Sequence, residues 1–156
     1  MTPLPQISVS VKAAIVHQDR ILLMSYEDHS GFHYNLPGGK AREGESLRDA
    51  VTRKVLDETG LSVRAVRELF VVEYQPGFYN GEFGDVHKTQ HNFLAELVDN
   101  GSSTPRASEP PDPDQVGFEW TPLSELSNRY LLPRITDHLL AAIADPTGRD
   151  VLVDRW

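Results

Sequence analysis

The chain reads as an α/β protein: a mixed sheet with helices packed on it. Three observations predict this class. Apolar, β-branched runs bounded by polar turns recur before residue 37 and again between residues 62 and 120. Between those two groups, Leu47, Ala50, Val51 and Val55 recur at helical spacing. A second helical pattern, Ile135, Leu139, Leu140 and Ile143, lies near the C-terminus. Strands, then a helix, then strands, then helices is the order of a layered α/β domain.

In chain order, residues 8–17 form the first strand and residues 20–26 the second, joined at Asp19 and Arg20 as a hairpin. The polar stretch from Glu27 through Gly31 reads as a loop. Leu36 ends a short strand, because Pro37 pushes the residue before it toward extended geometry. A glycine pair, Gly38 and Gly39, then leads into a helix over residues 45–58, which Gly60 stops. Residues 62–74, with Phe70, Val71 and Val72 at their centre, and residues 89–97 are further strands. Residues 100–113, rich in Pro, Ser, Asp and Glu, form a loop. A short strand at 117–120, a helical turn at 122–127 and a helix at 133–144 complete the chain. No internal repeat and no second domain is visible, so residues 1–156 are read as one domain.

Composition narrows the function. With 39% hydrophobic residues the chain has the makeup of a globular protein, and at 156 residues it needs no covalent staples. It has no cysteine, which excludes disulfides and thiolate metal sites. The first six residues lack a secretory pattern, and no apolar run approaches the roughly 20 residues that span a bilayer. A cytoplasmic protein without a membrane partner is expected. The net charge of −8, without a basic cluster, argues against polymeric nucleic acid as partner. A small nucleotide stays compatible if a divalent cation mediates between two sets of negative charge. A phosphate site without metal is disfavoured by the same acidity.

The chemistry concentrates between Gly38 and Leu61. Gly38 and Gly39 can adopt angles that turn a carbonyl toward a metal. Asp57 and Glu58 offer hard oxygen ligands suited to Mg²⁺. Arg53 lies four residues before Asp57, on the same helix face, where it could orient a carboxylate by a forked hydrogen bond. Glu45 either neighbours the metal or favours the positive end of the helix.

Gly39, Glu45, Arg53, Val55, Glu58, Gly60 and Leu61 stand at the spacing G-x5-E-x7-R-E-U-x-E-E-x-G-U, with U apolar. In this the chain resembles the Nudix hydrolases, and the preceding Leu36-Pro37-Gly38-Gly39 is similar as well. The chain departs from the pattern twice: Lys54 and Asp57 stand where the family has Glu. The resemblance implies an α/β/α sandwich and Mg²⁺-dependent hydrolysis (Mn²⁺ as an alternative) of a nucleoside diphosphate linked to another group. It implies metal held by Gly38, Asp57 and Glu58, with Asp114 as a late carboxylate from the acidic segment that also holds Glu109 and Asp112. Glu58, Arg53 and Asp57 are then the catalytic candidates, and Lys40, Tyr34 and Arg42 the substrate-binding ones. His33, His87 and His91 could line the pocket, and Tyr74, Phe78, Tyr79 and Phe83 could stack on a base. Glu82 and Asp85 could help bind substrate. A homodimer is common in the family. Lys54 removes one carboxylate and adds a cation, which points to a slow or one-metal enzyme. The rival reading is a degenerate domain that binds a nucleotide as a sensor, without turnover.

Overall fold

The computed structural model describes residues 6–98, 102–145, 147 and 151–156. The expectations placed on Met1 to Pro5, and on Asn100 and Gly101 in the loop, therefore lie outside the described residues. The elements are β1 (Ser8–His17), β2 (Arg20–Asp28), β3 (Gly31–Asn35), β4 (Gly38–Lys40), α1 (Leu47–Thr59), β5 (Val63–Tyr74), β6 (Lys88–Leu97), β7 (Gln115–Pro122), α2 (Thr136–Ala144) and β8 (Leu152–Val153). Short 3-10 turns lie at Pro76–Phe78 and Leu123–Asn128.

One mixed sheet runs in the order β3-β2-β1-β6-β5-β8, with β4 added against β1 and β7 against β2. The β1–β6 and β5–β8 pairs are parallel and the rest antiparallel. Alternation along β1 divides the core in two. Val11, Ala13 and Ile15 face α1, packing with Ala50, Val51 and Val55. Ala14 faces the other way, into a cluster with Phe70, Val72, Ile135, Leu139 and Ala142 around α2. The result is the expected α/β/α sandwich.

The β1–β2 hairpin closes as expected, with His17 opposite Arg20. The two residues between them, Gln18 and Asp19, both have positive φ (51° and 60°), as a tight primed hairpin turn requires. The stretch from Glu27 to Gly31 is less of a loop than expected. Glu27 pairs with Phe32 and Asp28 with Gly31, so polar residues extend the strands into a second hairpin at the sheet edge. The helix starts later than residue 45, because Ser46 accepts from the Asp49 N–H at 3.0 Å and caps it. Gly60 does stop it, in the left-handed conformation with its N–H on the Leu56 carbonyl.

The glycine pair does more than turn the chain: Gly38–Lys40 is a strand, with Gly38 opposite Lys12. Gly38 has φ 149°, and a Cβ there would meet the Val11 carbonyl oxygen at 2.0 Å. Gly38→Ala is expected to cost at least about 3 kcal/mol, combining overpacking against backbone with strained φ. Urea unfolding of the variant checks this; a midpoint close to wild type would show that β4 can shift away from β1.

Residues 102–114, ahead of β7, are tied to the rest of the fold. The Arg106 N–H donates to the Thr59 carbonyl at 2.8 Å, and the Trp120 indole donates to the Ser103 carbonyl at 2.7 Å. This segment therefore crosses the C-terminal end of α1 and places Ser108 and Asp112 above it.

Candidate active site

That crossing forms the roof of a cleft of about 450 Å³, whose floor is β1, β2 and β4 and whose wall is the last turns of α1. Lys12, Tyr26, Gly38, Lys54, Glu58 and Asp112 are among its lining residues, and Asp57 stands at its edge.

Glu58 is its central carboxylate, with a side chain 19% exposed. Burial pushes its pKa up, opposed first by the charge of Lys12, then by Lys54, and by a backbone hydrogen bond from Gly38. Lys54 Nζ lies 3.3 Å from Glu58 Oε1, one helical turn away. Lys12 rises from β1 and donates to the Leu36 carbonyl at 3.3 Å. Burial lowers its pKa, with Glu58 pulling the other way. Tyr26 is raised, by burial and then by the nearby charge of Glu58.

Arg53 has a different partner from the one expected. Its guanidinium forks onto Glu45, Nε to Oε2 at 2.6 Å and Nη2 to Oε1 at 2.9 Å, and Nη2 also reaches the Lys40 carbonyl at 3.1 Å. Asp57 is only a marginal partner at 3.8 Å, and its side chain is 57% exposed. The Arg42 N–H donates to Glu45 Oε1 at 3.0 Å. Arg53 and Glu45 thus clamp the segment after β4 onto α1, and hold the glycine strand in place from outside the cleft. The hydrogen bond from Arg53 pulls the Glu45 pKa down to about 2. A carboxyl depressed in the fold contributes stability that is present above its ordinary value, near 4.5, and is lost as pH falls toward 2. Glu45→Gln is expected to lower the melting temperature at pH 7, with the gap from wild type closing by pH 2. Melting curves across this range check it; a gap independent of pH would mean the clamp acts through packing.

The other sequence candidates scatter. Lys40 and Arg42 contribute backbone groups to the clamp and do not line the cleft. Tyr34 packs against the α2-side core, edge-on to Phe32. Asp114 lies beyond the lining; its N–H donates to Asp112 Oδ1 at 2.9 Å, and Asp112 is the carboxylate that reaches the cleft. His87 and His91 pair with Glu73 and Glu68 on the sheet. Tyr74, Tyr79 and Phe83 form a cluster with Trp156, in which Tyr74 is fully buried. Phe78 is exposed beneath the Arg155 guanidinium. His33, stacked on Tyr26, lines a second cavity of about 660 Å³ with Glu82, Asp85 and Phe83. Asn35 lines both cavities. Lys12, Tyr26 and Asn35 were missed. Lys12 alone carried a signal, as a lone cation inside the Val- and Ala-rich run of β1.

The fit of a divalent cation follows from these donors. Among the described residues no three Asp, Glu or His side chains gather closely enough to cage an ion. Mg²⁺ does not require a cage, since one or two carboxylates together with substrate phosphates commonly hold it. Glu58, Asp57 and Gly38 line one cleft, and two carboxylates there are a donor set of the kind that holds one such ion with phosphate. They do not fit a multi-ion centre, because Lys54 brings an ammonium to Glu58 where the pattern has a carboxylate.

Fold and site together define a Nudix-type domain. The NUDIX domain family matches residues 6–143, and the chain belongs to that family. Among solved structures it is similar to a MutT NUDIX hydrolase from Burkholderia pseudomallei, at 29% identity and TM-score 0.67, covering 89% of this chain and 99% of that one. A NUDIX hydrolase from Nitrosomonas europaea (TM-score 0.70, 23% identity, 89% and 90% covered) shares the fold. So does an ADP-ribose pyrophosphatase from Streptococcus suis (TM-score 0.65, 22% identity, 96% and 100% covered). Curated relatives include NAD-capped RNA hydrolases NudC. That of Photorhabdus laumondii is 35% identical over 63 residues, 40% of this chain and 24% of the relative. That of Photobacterium profundum is 26% identical over 107 residues, 60% and 40%. The chain spans less than half the length of these curated relatives. No helix among the described residues is long and apolar enough to cross a membrane.

Proposed function

We propose that this chain hydrolyses the pyrophosphate bond of a nucleoside diphosphate linked to another group, with the diphosphate lying in the cleft at the end of α1. The carrying observation is Glu58, a largely buried carboxylate at the end of α1, with the Lys54 ammonium 3.3 Å from it and Lys12 lining the same cleft of about 450 Å³. Bound at Glu58, Asp57 and the Gly38 carbonyl, a divalent cation would offset phosphate charge and lower the pKa of a water. The chain's own groups do the rest. Lys12 and Lys54 attract phosphate oxygens. Glu58 orients the attacking water and receives its proton at the carboxylate. The segment carrying Ser108 and Asp112 limits access of bulk water. The clamp of Arg53 on Glu45 keeps Gly38 in register with Glu58. The second cavity, reached past Asn35, accommodates the nucleoside or its linked group.

A second reading, nucleotide binding without turnover, is favoured by one observation: the Lys54–Glu58 pair occupies the carboxylate that catalysis needs. Both are tested by incubating the protein with ADP-ribose, NAD, dinucleotides and nucleoside triphosphates, with Mg²⁺ or with EDTA, and measuring phosphate and nucleoside monophosphate products. Metal-dependent turnover of any compound supports the hydrolase. Saturable binding with no product from any compound supports the binding domain and overturns the first reading.

A further inference from the structure

Lys54 is accommodated, not merely tolerated. Its stem passes over Gly39, where a Cβ would lie 2.5 Å from Lys54 Cε and 3.1 Å from Nζ. Gly39 has no left-handed backbone that would itself call for glycine; its bareness makes room for the ammonium. Lys12 enters the same cleft from β1, tied to the Leu36 carbonyl. Lys54 therefore contacts Glu58 directly, and Lys12 stands in the same cleft with its ammonium on the Leu36 carbonyl. The cleft lining as a whole is not cationic, since Asp57 and Asp112 stand with Glu58 against the two lysines, but the charge in direct contact with Glu58 is the Lys54 ammonium. A second divalent ion beside Glu58 would be repelled by both ammoniums, whereas a phosphate oxygen would be attracted by both.

We propose that Lys54 and Lys12 take the place of a second divalent cation, binding the diphosphate of the nucleotide directly through their ammonium groups, so that the ligand is held in this cleft without metal. The assignment rests on the proposed function for the identity of the ligand, and makes Lys54 a substrate-binding residue in place of a metal-binding one. Lysine suits the task as a compact point charge with three donors, able to follow phosphate oxygens as they move. The Lys54–Glu58 contact is then the resting state of the site. Arriving phosphate competes for the ammonium and releases the Glu58 carboxylate toward the reacting centre.

The test is titration calorimetry in EDTA, with ADP-ribose and inorganic pyrophosphate as separate probes. Pyrophosphate carries the shared chemistry without the nucleoside. Wild type is expected to bind both saturably. Lys54→Gln is expected to weaken both by at least tenfold, and Lys54→Arg, which keeps the charge, to restore most of the affinity. Gly39→Ala, which keeps the lysine but pushes its ammonium aside, is expected to weaken both as well. Melting curves establish that each variant is folded. Loss of all wild-type binding in EDTA overturns the proposal, as does an unchanged Kd in Lys54→Gln. Binding of ADP-ribose that survives in Lys54→Gln while pyrophosphate is never bound also overturns it, because the nucleoside alone is then recognised. Absence of turnover with Mg²⁺ is a different failure. It would overturn the hydrolase reading and leave the metal-free affinities to decide this one.

Discussion

Glu58→Gln is expected to lower turnover of any hydrolysed compound by 100-fold or more, and to cost on the order of 2 kcal/mol of stability. Three roles converge on this carboxylate. On the proposed function it is a ligand for the cation and the proton acceptor for the attacking water, and it is the counter-charge for Lys12 and Lys54. The amide keeps the shape and ends all three. Its stability effect arises because both ammoniums then lose the charge that offsets their partial burial. Lys12 is the more exposed to this loss, since burial already lowers its pKa and Glu58 supplies the opposing effect. The two consequences are separable by measurement. Steady-state kinetics with Mg²⁺ reads the chemistry, and urea unfolding reads the ion pairing. If Glu58→Gln keeps a third or more of wild-type turnover, the carboxylate serves only as a counter-ion and the base lies elsewhere, with Asp57 and Asp112 the other carboxylates lining the cleft.

Much of the fold was legible because long amphipathic runs carry their own period. β1 buries apolar residues along most of its ten positions, β5 carries a buried apolar half from Leu69 to Tyr74, and α1 turns Ala50, Val51 and Val55 inward at helical spacing. β4 and β8 were not legible. At three and two residues they are too short to show a period, and they are strands only because β1 and β5 offer free edges to pair with. In the site, spacing exposed α1 and its charges but misassigned their partners. Arg53 and Asp57 share a helix face, yet the guanidinium turns to Glu45, which lies ahead of the Ser46 cap in the segment that folds back along the helix. Helical periodicity cannot announce a contact between a helix and the chain preceding it. Asp112 and Asp114 look equivalent in an acidic loop. The difference comes from the anchoring of Arg106 to the end of α1, a tertiary contact with no local signature.

Lys54→Glu is expected to exchange one mode of phosphate recognition for another. The substitution restores the carboxylate of the family pattern at a position one turn before Glu58, and removes the ammonium now 3.3 Å from it. Two adjacent carboxylates without a cation between them repel, so the variant is expected to melt at a lower temperature in EDTA than wild type. Added Mg²⁺ should more than recover this loss, because an ion that binds only the folded state stabilises it in proportion to its occupancy. Mg²⁺ affinity should rise at least tenfold, and turnover at saturating Mg²⁺ should rise by a similar factor. Affinity for pyrophosphate in EDTA should fall. The opposite signs of these effects give the experiment its force. A general improvement in stability or folding would move them together, whereas replacement of a cationic side chain by a metal ligand moves metal-dependent and metal-free binding in opposite directions. Should Lys54→Glu lose turnover and gain no Mg²⁺ affinity, Lys54 is itself required for the chemistry, and the site works with its lysine in place rather than in spite of it.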